Sequence, residues 1–157
     1  MATANRGKVA ESKIQEALQK FADKHHHFDW HRVYDAHSAG GKFACQTGDF
    51  CWFFNGFNGA VEIKEVAHDF RLPAKNFNAG QIARMRKRML AGTQGHAIVR
   101  HSTTGKWRVI GLQFFLDDLE AKSWDLSKYP EFDSAGEALS ILLLPYEIPG
   151  YRPAAAA

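Results

Sequence analysis

Residues 49–66 read DFCWFFNGFNGAVEIKEV. Asp49 to Asn55 is rich in aromatics, as a strand would be, and Ala60 to Val66 reads as a second strand running back. Between them, Asn55-Gly56 and Asn58-Gly59 bracket Phe57, a strong turn signal. The stretch is therefore expected to form a β-hairpin. Side chains alternate along a strand, so Val61 and Ile63 should point to one face and Glu62, Lys64 and Val66 to the other. A turn centred on Phe57 and Asn58 pairs residues whose numbers sum to 115, setting Asp49 opposite Val66. Asp49 then lies on the face of Glu62 but roughly 13 Å along the strand from it. A bulge, a longer turn or a bend would be needed to bring the two carboxylates together.

The hairpin sits among other regular elements. Ala10, Ile14, Ala17, Leu18 and Phe21 form a helical stripe, predicting a helix from about Lys8 to Lys24. Trp30 to Tyr34 reads as a short strand and Asp35 to Gly48 as a loop. Asn78 has N-cap chemistry with Gln81 in capping-box position, opening a helix that stops at Gly92. Ile82, Met85 and Met89 should face its core side, while Gln81, Arg84 and Arg88 share another face. His96 to His101 and Trp107 to Leu112 read as strands joined around Gly105. A short helix is expected near Leu116, and Ser134-x-x-Glu137 opens a last one through about Leu143. This order predicts an α/β or α+β layer with a mixed central sheet.

The 157 residues fit one domain, residues 1–153, with Ala154 to Ala157 expected to be a disordered tail. Hydrophobic residues are 45% and charged residues 24%, an ordinary globular balance. No apolar run reaches the ~18 residues of a membrane span, and the N-terminus lacks a signal-peptide core. An intracellular, cytoplasmic protein without a membrane partner is expected, in the host cytoplasm if the source is viral. Cys45 and Cys51 form no disulfide framework, and the histidines His25, His26, His27, His31 and His37 fit no common zinc spacing. No local signature marks a cysteine–histidine hydrolase. Trp52, Phe53, Phe54 and Phe57 read as core and turn packing rather than base-stacking platforms.

The net charge of +3 is unevenly spread. Residues 70–116 hold nine cations and no acid: Arg71, Lys75, Arg84, Arg86, Lys87, Arg88, Arg100, Lys106 and Arg108. The rest of the chain has 11 basic and 17 acidic residues, or −6. Such asymmetry suits a polyanion, although a solvated basic helix would look the same.

Asp49 is followed 13 residues later by Glu62-Ile63-Lys64. Two carboxylates suit magnesium, which retains waters and accepts phosphate oxygens. Such an ion activates water and offsets charge on a scissile phosphate, and a lysine beside it can stabilise the transition state. The bare pattern is also a commonplace of exposed strands. Glu11 lies at the edge of the first helix's apolar stripe, about 60° from Ile14, and reads either as a helix-start acid or as a metal-site acid.

Taken together, Asn5-Arg6-Gly7, Glu11, Thr47-Gly48-Asp49-Phe50, Glu62-Ile63-Lys64-Glu65 and Leu72-Pro73-Ala74-Lys75-Asn76-Phe77 through Gln81-Ile82 resemble the RecU-type Holliday-junction resolvases. These belong to the PD-(D/E)xK nuclease superfamily. The resemblance implies a restriction-endonuclease-like core, with a central mixed β-sheet flanked by helices. It implies magnesium, with manganese as a substitute, held by Asp49, Glu62 and the Ile63 backbone carbonyl. Lys64 would be the catalytic lysine, Glu11 would complete the acidic cluster, and Gln81 would position phosphate or water. Arg6, Lys42, Arg71, Lys75, Arg84, Lys87 and Arg88 are the cations expected to meet DNA. The family usually has histidine before the glutamine, where this chain has Gly80, and often threonine after the Lys-Glu pair, where it has Val66. The junction-engaging stalk would be residues 35–48. The expected activity is paired cleavage of four-way DNA junctions by a homodimer. The alternatives are another nuclease of this superfamily, acting on branched, damaged or duplex DNA, or an inactive DNA-binding relative.

Overall fold

In the computed structural model, residues 6–33, 48–67 and 70–148 are described. Their frame is a five-stranded sheet in the order β1-β2-β3-β5-β6, built from β1 (Phe28–Arg32), β2 (Phe50–Phe54), β3 (Phe57–Val66), β5 (Gln94–His101) and β6 (Trp107–Gly111). Only β3 and β5 run parallel; the other neighbours are antiparallel. The mixed sheet expected from the element order is what forms. A small second sheet pairs β4 (Arg71–Pro73) with β7 (Ser123–Asp125), and neither strand was legible as one.

The alternation along β3 divides the core. Val61 and Ile63 join Phe50, Trp52 and Phe54 of β2 in a cluster capped by α1 (Arg6–Lys24) and α4 (Ala135–Leu143). Val66 joins Met85 of α2 (Ala79–Leu90) and Phe115 of α3 (Gln113–Leu116) on the other face. The sheet is thus flanked by helices on both sides. Two helix starts follow their capping chemistry: Asn78 accepts from the Gln81 N–H at 2.7 Å, and Ser134 from the Glu137 N–H at 3.1 Å. Ile82, Met85 and Met89 turn to the core as expected. The first helix starts two residues earlier than expected, so Glu11 lies beyond its first turn and is not a helix-start acid.

The hairpin register corrects the sequence reading. Phe54 pairs with Phe57 and Phe50 with Val61, so paired numbers sum to 111 rather than 115. The turn is the two residues Asn55 and Gly56, both at positive φ (50° and 88°), the geometry that matches strand twist. Asn58-Gly59 is inside β3. Gly59 serves packing there: a Cβ would stand 2.3 Å from the Trp52 ring. With the shorter turn, Asp49 comes level with Glu62, and no bulge is required.

Candidate active site

Asp49 immediately precedes β2 and is held at both its backbone and its side chain. Its N–H donates to the Val61 carbonyl at 2.8 Å, and its Oδ2 accepts from the Ile63 N–H at 2.6 Å. These bonds tie the carboxylate to the strand carrying Glu62. Glu62 is 3% exposed. Its Oε1 accepts from Lys64 Nζ at 2.5 Å, while Oε2 is buried with no hydrogen-bond partner among the described residues. Lys64 lies over the Phe77 ring, 4.8 Å from its centroid, just ahead of α2.

Burial and then the Glu62 charge raise the Asp49 carboxyl to about 7, and Glu11 adds a smaller push; the Ile63 N–H and Lys64 work against it. Two close carboxylates share one cation, Lys64, and one of their oxygens is orphaned, so the site is short of positive charge. The donor set fits a hard divalent cation, for which one or two carboxylates plus waters suffice. Asp49 and Glu62 are the residues that could hold it.

Glu11 departs from expectation. Its Oε2 accepts from Arg32 Nη2 of β1 at 2.6 Å. Among the described residues no group of three His, Cys, Asp or Glu side chains converges as a metal site. In this arrangement the Glu11 carboxylate is paired with the Arg32 guanidinium, while its charge still reaches Asp49. Glu65, next to the lysine, points to the opposite face and pairs with Arg100 at 3.3 Å, so it is outside the site.

Gln81 is half-buried in the first turn of α2, on the side of the sheet where Lys64 meets Phe77. No hydrogen bond among the described residues joins its side chain to the carboxylates. Arg84 is half-buried, and Lys75, Lys87 and Arg88 are exposed. Arg71 is engaged by Ser123 at 3.0 Å and by Asp125 at 4.0 Å. Arg6 begins α1. Lys42 and all of the expected stalk except Gly48 lie outside the described residues, as do Asn5, Tyr34, Cys45 and residues 149–157.

The basic middle of the chain is less of a field than its count implied. Arg100 pairs with Glu65, Lys106 with Asp133, Arg108 with Glu131, and Arg71 with Asp125. All four acids come from outside residues 70–116, so folding supplies the charge that sequence order withheld. Among the described residues no acid pairs with Arg84, Arg86, Lys87 or Arg88, which leaves α2 as the cationic element. The sequence reading also missed Phe53. It is 45% exposed, on the same face of β2 as Asp49, whereas Trp52 and Phe54 are core. Strict alternation from Asp49 would have separated it from them.

No protein-family model matches the chain, and no curated protein sequence is similar to it. Solved structures do match. One is Hjc of Archaeoglobus fulgidus, described as a Holliday junction resolvase from an archaeal hyperthermophile, with a TM-score of 0.51 and 16% sequence identity. The match covers 80% of this chain and 98% of that one. The chain shares its fold with that protein, and the restriction-endonuclease-like architecture is the one expected from the ordered motifs. No helix among the described residues is long and apolar enough to cross a membrane.

Proposed function

We propose that the chain is a metal-dependent endodeoxyribonuclease that resolves four-way DNA junctions as a homodimer. The observation that carries the chemistry is the register that sets Asp49 level with Glu62 and bonds Lys64 to Glu62. Asp49, Glu62 and the Ile63 carbonyl would hold magnesium, with manganese as a substitute. When bound, that cation neutralises phosphate charge and favours ionised water at neutral pH.

The chain's own residues do the rest. Asp49 and Glu62 concentrate negative charge where a cation is wanted, and the Ile63 N–H fixes Asp49 in place. Lys64, anchored by Glu62 and backed by Phe77, presents an ammonium that can stabilise charge on the phosphate undergoing attack. The unpaired cations of α2 supply phosphate contacts along the flanking duplex. Gln81, at the start of that helix, would orient phosphate or water. The fold shared with an archaeal junction resolvase and the motif resemblance support the four-way junction as substrate. A junction is cut on two symmetry-related strands, and each chain carries one set of Asp49, Glu62 and Lys64. A C2 dimer therefore matches the substrate. The test is cleavage of an immobile synthetic junction, a flap and a linear duplex of equal length, with magnesium and with chelator. Preference for a flap or duplex would instead make the chain a different nuclease on the same fold.

A further inference from the structure

The open face of the sheet continues past the two carboxylates. Asp49, Cys51 and Phe53 lie on one face of β2 and are flanked on β1 by His31 and Asp29, which pair with Cys51 and Phe53. On β3, Phe53 pairs with Asn58. Asp29, Phe53 and Asn58 thus form a row across three strands, all exposed. The His31 ring stacks on Phe53 at 5.9 Å between centroids and 25° between planes. An open cavity of about 380 Å³ adjoins the row, lined by His26, His27, Asp29, Phe53, Asn55 and Asn58 among others. Between this cavity and Asp49 lies Cys51; burial pushes its thiol above the ordinary value, and the nearby Arg88 charge of α2 works against that.

We infer that this cavity is a nucleobase site, in which Phe53 stacks on an unpaired base of the DNA strand held at Asp49 and Glu62. The inference rests on the reading of the chain as a DNA nuclease. The chemistry of the row selects the base rather than the backbone. An exposed aromatic face suits a base plane, Asn58 offers a donor and an acceptor to a base edge, and Asp29 accepts base amino hydrogens while repelling phosphate. Arg88, between the two ends, suits the connecting backbone. Asp49 and Phe53 are about 13 Å apart at strand rise, or about four nucleotides at 3.4 Å each. Bases beside a branch point are unpaired at least cost, so the site favours branched over continuous DNA.

The test uses four-way junctions carrying 2-aminopurine at successive positions on either side of the cut, bound to the full chain in chelator so that nothing is cleaved. A base drawn out of the duplex stack onto Phe53 predicts a rise in fluorescence at one or two adjacent positions within a few nucleotides of the cut. Phe53→Ala should abolish that rise and weaken junction binding roughly ten-fold or more, and Phe53→Trp should retain the affinity. Circular dichroism checks that each variant folds, which the exposure of Phe53 favours. An unchanged fluorescence rise and affinity in Phe53→Ala would overturn the base site while leaving a magnesium-dependent nuclease intact. A position-specific rise that needs Phe53, in a protein that never cuts, would sustain the base site and sink the nuclease reading. No binding to any DNA would overturn both.

Discussion

At the scale of single residues, the candidate site rests on Asp49, Glu62 and Lys64, one lysine set against two carboxylates. Asp49→Asn, Glu62→Gln and Lys64→Ala should each lower cleavage by about 10²-fold or more, with junction affinity in chelator nearly unchanged; turnover near wild type in any of the three would remove that residue from the mechanism. Asp49 also gives a pH signature. Its carboxyl titrates at about 7 in the folded chain, against an ordinary value of 3.8. The folded state therefore binds the proton more tightly than the unfolded state. This contribution is intact below about pH 4 and is lost as pH rises towards 7. In metal-free buffer, the Asp49 contribution should fall by about 2–4 kcal/mol across that window. Denaturant melts of the wild type and Asp49→Asn would show it as a pH-dependent difference, and parallel curves would contradict the assigned environment. Magnesium, competing with the proton, should raise the melting temperature more at pH 8 than at pH 5. The residue types and their strand parity were legible in the sequence. The capture of Glu11 by Arg32 was not, because the two are 21 residues apart and meet only when β1 packs beside α1.

At the scale of elements, the β2–β3 hairpin and α2 carry the account. The strands were legible from aromatic content and turn residues, but the register was not, since two Asn-Gly pairs competed for one turn. The choice falls on Asn55-Gly56, which takes the two positive φ values, while Gly59 is needed where Trp52 leaves no room for a side chain. Gly59→Ala should destabilise the fold by about 1–3 kcal/mol through overpacking. Gly56→Ala, in open space but at positive φ, should cost about 1 kcal/mol. Thermal unfolding of the two variants would check this ordering, and a Gly59→Ala protein as stable as wild type would argue against the register. For α2, charge reversal at Arg84 and Arg88 should weaken binding to junction and duplex alike. Each lost phosphate contact should reduce the log–log salt slope by about 0.9. A slope that does not move would mean that the helix faces away from DNA. The caps of α2 and α4 were readable because capping is local; β4 and β7, three residues each, exist only by pairing across 52 residues of chain and left no periodic trace.

At the scale of the molecule, the helix–strand order led to a mixed sheet with helices on both faces, and the fold shared with an archaeal resolvase agrees with it. Charge was the poorer guide at this scale, because four of the nine central cations are neutralised by acids brought in from elsewhere in the chain. Among the described residues, what remains of the nine is Lys75 and the four cations of α2, beside one acidic pair in each chain. Resolution of a junction needs two such sets at a fixed spacing, which a single chain does not provide. The decisive measurement is therefore cleavage of a four-way junction extruded as a cruciform from a small supercoiled plasmid, with magnesium, scored for whether both strands are cut before the complex dissociates. Paired, symmetric incisions that outpace duplex nicking, disappear in chelator and disappear in Glu62→Gln are expected. Single uncoordinated nicks at equal rates on junction and duplex, or no magnesium-dependent cleavage at all, would contradict a junction resolvase.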